Sequence, residues 1–250
     1  MGEANCVNGR CYIPGGIFTM GSPEDVGDSN EHPQKEVAMT SFWMGQTEVS
    51  RGDIYSEFGK PLWHFDLIRM IELLITVDEI TESYCGEMNG KGDDYPVVCL
   101  TMQEKRDYCQ AQGGDLPTAA QFEYAARFDE QDAQPEQLIV WDNGYGSTVP
   151  VTTGYQNRFG IFNLLGNVWE SMRDAYDENF YSRMPGTDPY NPLTNPYDYT
   201  TNRDGQFEEI RGGSFDGDRR YARPADRYVV DPDGRRYSGG FRCAGPADSK

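Results

Sequence analysis

Apolar and polar positions alternate at the start of the chain. "CYIPGGIFTMGS" reads as a strand broken at Pro14-Gly15-Gly16 and resumed at Ile17–Met20, since Pro and Gly interrupt a ladder. "SNEHPQKEV" is a polar loop, and "AMTSFWMGQTEVS" alternates well enough for another strand. The period then lengthens. In "LWHFDLIRMIELLITVDEITESYC" apolar residues recur at helical spacing, which predicts a helix over its first half. Two further helices carry start signals. "TMQEKRDYCQAQGG" has Thr101 as N-cap with Glu104 in the capping-box position, and it stops at Gly113-Gly114. "LPTAAQFEYAARF" repeats the device with Thr118 and Gln121. Beyond Phe128 helical signals are few, and "GTDPYNPLTNPYDYTTNRDGQ" is expected to be a long surface loop. No repeat or linker divides residues 1–250, so one domain is expected, with residues 1–11 as an N-terminal extension.

Composition sharpens this picture. Only 37% of the 250 residues are hydrophobic, while Gly, Pro and Tyr are abundant, so a core wrapped in irregular, turn-rich structure is expected. The formal charge is -19, which argues against nucleic acid as a partner because a polyanion is repelled at long range. No run of apolar residues is long enough for a transmembrane segment. The opening "MGEANCVNGRCYIPGG" has no basic-then-apolar signal pattern, so an exported protein would have lost its signal sequence.

The cysteines bear on location. Cys6, Cys11, Cys85, Cys99, Cys109 and Cys243 are even in number and contain no C-x-x-C pair. That favours disulfides and an extracytoplasmic protein (periplasmic, secreted or cell-surface) over zinc or thioredoxin-type chemistry. Cys6 and Cys11 flank a polar "VNGR" turn where no core is expected to shelter them. His32 and His64 are the only histidines, too few for a multi-histidine metal centre and poor support for a Ser-His-Asp triad. Between Arg211 and Arg242 lie eight arginines and five aspartates but no lysine. These arginines face an anionic ligand or neutralise the protein's own carboxylates.

Six stretches occur in order: "YIPGGIFTMGS", "FWMGQTEVS", "YPVVCLTMQEKRDYCQAQGGDLPTAAQFEYAAR", "GIFNLLGNVWE", "IRGGSF" and "GGFRCA". Together they resemble the formylglycine-generating enzyme, or sulfatase-modifying factor, family over about Tyr12 to Ala244. The resemblance implies an irregular α+β single domain related to C-type lectins, low in regular secondary structure. It also implies a bridge from Cys109 to Cys243. The pairing of the other four cysteines stays open; Cys85 with Cys99 would close a loop, and Cys6 with Cys11 a tight turn.

Family members hold copper through two cysteines spaced C-x-x-x-x-C after the "GGS" turn. Those positions fall here on Gly217 and Ala222, which offer no side-chain ligand. No copper and no formylglycine generation are therefore expected. A structural calcium is expected in "NLLGNVWE", through the side chains of Asn163 and Glu170 and the carbonyls of Gly166 and Val168. The alternative is that Glu170 pairs with Arg211 or Arg242.

In retroelement-diversified relatives the C-terminal segment is a ligand-binding face. Carried over, that face includes Asp216, Gly217, Asp218, Arg219, Arg220 and Tyr221, followed by Arg223, Tyr228, Arg235 and Tyr237. Such residues suit a protein, peptide or glycan ligand. An enzyme with a different, copper-independent reaction is the alternative. Trp43, Trp141 and Trp169 are read as core, and the Asp93–Asp94 and Asp231–Asp233 pairs as solvated loop carboxylates.

Overall fold

In a computed structural model the described residues are 5–58, 85, 91–127, 135–192 and 207–247. The helix expected after Leu62, His64 and most of the Tyr-rich loop beyond Pro192 lie outside them. Strands β1 (Cys6–Val7), β2 (Arg10–Ile13), β3 (Gly16–Met20), β4 (Lys35–Met39) and β5 (Phe42–Gly45) open the chain. Helices α1 (Arg51–Phe58), α2 (Met102–Ala111) and α3 (Ala119–Arg127) follow. The second half has β6 (Trp169–Ala175), the short α4 (Phe180–Arg183), β7 (Glu208–Arg211), β8 (Tyr228–Val230), β9 (Gly239–Gly240) and β10 (Ala244–Pro246).

The break at Pro14-Gly15 separates two sheets. β2 joins a sheet of order β1-β2-β5-β10, whereas β3 pairs only with β4. The single strand expected in "AMTSFWMGQTEVS" is two, because the chain changes sheet at Thr40–Ser41 between β4 and β5. Lys35–Val37, expected in a loop, belongs to β4, and Ser29–Glu31 forms a 3-10 turn. The third sheet has order β8-β7-β6-β9, with β6 and β9 parallel. Within the expected N-terminal extension, residues 5–11 are described. β1 and β2 form a hairpin paired to β5, and Cys11 is fully buried in the main core, despite its polar flanks.

Both capped helices start as expected. Glu104 N donates to Thr101 Oγ1 at 3.3 Å while Glu104 Oε2 accepts from Thr101 N at 2.8 Å. Thr118 and Gln121 reproduce the exchange at 3.1 and 2.9 Å. α3 is buried along nearly its whole length between β3, β4, β6 and β7. Disulfides join Cys6 to Cys11, Cys85 to Cys99, and Cys109 on α2 to Cys243 before β10.

The interior carries charge as well as apolar side chains. Arg211 on β7 is fully buried; it donates to Glu123 on α3 at 3.0 Å and to Tyr181 on α4 at 2.6 Å, and its Nε meets Glu209 at 2.8 Å. Arg227 reaches the other Glu209 oxygen at 2.7 Å. Burial pushes the Glu209 carboxyl up, but Arg227 and Arg211 outweigh it and hold the group below its ordinary range. Glu123 also accepts from Gly21 N, so one carboxylate fixes the end of β3 to α3, α4 and β7.

Candidate functional site

The segment after β7 turns sharply. Gly213 has φ +74°, and a Cβ there would lie 3.0 Å from Ala222 N, so "GGS" folds back on the residues that follow. Ser214 is buried and its Oγ donates to Asp216. Gly217 O then accepts Trp141 N at 3.1 Å, and a 3-10 turn spans Arg219–Tyr221. Ala222 is buried against Leu138 and Val140. Neither Gly217 nor Ala222 presents a donor atom beyond its backbone.

Below this turn is a cavity of about 360 Å³ lined by Gly27, Asp28, Arg220, Tyr221, Arg223 and Asp226. Three residues of the expected face therefore meet Asp28, from a distant part of the chain, and Asp226, three residues beyond Arg223. Arg223 bridges Glu31 at 2.7 and 2.9 Å and Asp226 at 2.9 Å. Burial pushes the Asp226 carboxyl up to about 7; Arg223 pulls it down and Glu31 pushes it further up. Tyr221 stands beside Tyr228 and Trp169, whose rings lie 5.4 Å apart between centroids, so an aromatic wall adjoins the cavity.

Other expected face residues lie apart. Arg235 donates to Glu104 at 2.8 and 2.9 Å, turned toward the start of α2. Tyr237 packs on Phe215 in a separate apolar cluster. Arg219 sits over Asp142, and Arg220 pairs with Asp218 at the surface. Seven of the eight arginines of this segment thus meet the protein's own carboxylates, Arg211 and Arg242 deep in the interior. Trp43 and Trp169 are buried, but Trp141, expected in the core, is 61% exposed on a 3-10 turn beside Gly217. Its polar setting in "WDNGYG" was the available signal.

The calcium position can be tested against the geometry. Gly166 adopts φ +92°, and a Cβ there would strike Ile139 O at 2.8 Å, so the turn requires glycine. The Oδ1 of buried Asn163 has no hydrogen-bond partner, while its Nδ2 makes only long contacts to Glu48 at 3.4 Å and Val151 O at 3.3 Å. Asn167 donates to the other Glu48 oxygen at 2.8 Å. Glu48 was invisible as a site residue in sequence. It is fully buried, and burial pushes its carboxyl up to about 8, with Arg242 pulling down and Glu170 pushing up. Glu170 is engaged by Arg242 at 2.6 Å on each oxygen, the pairing weighed as the alternative to calcium. Two buried carboxyls share one guanidinium, a cation would offset the burial that holds Glu48 protonated, and Asn163 Oδ1 is an orphaned acceptor. These features fit a cation.

One further arrangement resembles a catalytic pair. Lys105 Nζ donates to Ser171 Oγ at 2.7 Å, but both residues are buried and closed to a substrate.

Residues 2–247 match the sulfatase-modifying factor enzyme 1-like domain. The chain is 27% identical to the formylglycine-generating enzyme of Streptomyces coelicolor, covering 96% of this chain and 90% of that protein. It is 25% identical to the inactive C-alpha-formylglycine-generating enzyme 2 of Bos taurus, covering 99% and 91%. Among solved structures, PvdO from Pseudomonas aeruginosa superposes with a TM-score of 0.71 at 18% identity, over 95% of this chain and 94% of that one. Treponema denticola variable protein 1 does so at 0.70 and 17% identity, over 95% of each chain.

Proposed function

The chain belongs to the sulfatase-modifying factor enzyme 1-like family, and we propose that it acts there as a ligand-binding member rather than as a formylglycine generator. The observation that carries this is at the turn after β7. By the family resemblance the copper-binding cysteines would fall on Gly217 and Ala222, and Arg220 and Tyr221, between those two positions, line an open cavity of about 360 Å³. All six cysteines are in disulfides, so no thiolate from elsewhere substitutes. The relative named as inactive and the variable protein sharing the fold are compatible with this use. Three disulfides also suit an extracytoplasmic site of action.

The ligand surface would be Arg220, Tyr221 and Tyr228 around the acidic pocket, with exposed Trp141 at one side. Tyr and Arg supply most binding energy in such surfaces, which suits a peptide, protein or glycan. Screening the protein on glycan and peptide arrays tests the reading. Arg220→Ala with Tyr221→Ala is expected to weaken any ligand found by at least about tenfold, leaving folding intact. Undiminished binding by that variant would move the ligand site elsewhere.

A structural calcium would be held by Asn163 Oδ1 with the carbonyls of Gly166 and Val168, and with Glu48 and Glu170 supplying charge. It would order the turn before β6. Removing calcium with a chelator is expected to lower Tm, and re-addition to restore it. An unchanged Tm would count against this site.

A further inference from the structure

The cavity under the Arg219–Tyr221 turn contains an arrangement that ligand-facing arginines do not explain. Oxygens of Asp28, Glu31 and Asp226 lie within 4.8 Å of one another. Asp28 is exposed at the mouth, while Glu31 and Asp226 are buried. Arg223 is the cation that bridges Glu31 and Asp226, while Arg220, which also lines the cavity, is paired with Asp218. Glu31 is well supplied with donors: Arg223 on both oxygens, Asp28 N on one and Ser22 Oγ on the other. Asp226 is different. It is 3% exposed, its Oδ1 accepts from Arg223, and its Oδ2 is buried with no hydrogen-bond partner. A buried carboxylate oxygen left unsatisfied is costly, and such exceptions call for a partner outside the protein.

We propose that Asp28, Glu31 and Asp226 form a binding site for a hard divalent cation, with Asp226 Oδ2 and the Asp28 carboxylate as direct ligands. Glu31 adds negative charge behind them and, through Arg223, fixes the Asp226 carboxylate in place. The ligand set is all oxygen, which selects calcium or magnesium over softer metals. The three carboxylate oxygens lie no more than 4.8 Å from one another, within reach of one ion at a calcium–oxygen distance of roughly 2.4 Å. The adjoining cavity has room for the waters that complete its coordination. This position is separate from the one at Asn163 and Glu48 and stands or falls independently of it.

Calorimetric titration of chelator-stripped protein with CaCl₂, and separately with MgCl₂, tests the site. Asp28→Asn and Asp226→Asn are each expected to weaken one binding event at least tenfold, while Glu48→Gln leaves that event unchanged. Asp28 is exposed, so its variant keeps the test valid even if Asp226→Asn disturbs folding. The proposal is overturned if neither cation binds at millimolar concentration. It is equally overturned if both Asp variants bind as the parent does, or if Glu48→Gln alone abolishes every binding event.

Discussion

Replacing Arg211 with leucine is expected to destabilise the protein by about 3–5 kcal/mol, because it breaks a buried ion network from one side. Arg211 is fully buried and contacts Glu123, Glu209 and Tyr181, which come from α3, β7 and α4. Removing the guanidinium strands Glu123 in a region where only Arg127 remains to balance it, and leaves Glu209 to Arg227 alone. Leucine fills part of the volume but cannot satisfy these acceptors. The fall in Tm is expected to be on the order of ten degrees for a domain of this size. Arg220→Ala is the control; Arg220 pairs only with Asp218 among its salt bridges, at the surface, and its loss should change stability by less than about 0.5 kcal/mol. Equal effects from the two variants would contradict the assignment of Arg211 as an internal strut.

Loss of the Cys109–Cys243 bridge is expected to have an effect of similar size by another route. The bridge closes a loop of 134 residues. In the chain-entropy model such a constraint contributes about 5 kcal/mol, against about 2 kcal/mol for a bridge as short as Cys6–Cys11. The bridge also lies in an apolar cluster with Trp43, Tyr108 and Phe241, so two serines would place hydroxyls there. Denaturant unfolding of Cys109→Ser/Cys243→Ser and Cys6→Ser/Cys11→Ser should rank the long bridge first. The reverse ranking would show that packing around the short hairpin, rather than loop length, dominates.

Legibility in the sequence followed the kind of physics involved. The two capping boxes were legible because their signals are local, a Thr and an acceptor side chain three residues on. β6 and β7 were not. "WESMRDA" and "EEIR" are buried almost throughout, and their charged residues are satisfied by partners far along the chain, so neither strand shows alternation. The same long-range pairing hid Glu48, a single acid in "QTEVS" that folds against Asn163 and Asn167. The expected face meets the cavity in part. Arg220, Tyr221 and Arg223 belong to the face expected from the family resemblance, whereas Glu31 lies in an expected polar loop and Asp28 carries no signal before the fold brings both near Arg223. Arg235 belongs to the same expected face in sequence, yet its partner is the α2 capping residue Glu104 and it lies apart from the cavity.

The proposed loss of formylglycine generation rests on Gly217 and Ala222 falling where the family resemblance expects the copper-binding cysteines. The most direct test is to incubate the purified, disulfide-intact protein with copper, oxygen, a thiol reductant and a sulfatase-motif cysteine peptide, and to follow the peptide by mass spectrometry. The peptide's cysteine is expected to stay unconverted to the aldehyde at every time point. Accumulation of the formylglycine peptide above the copper-only control would contradict it.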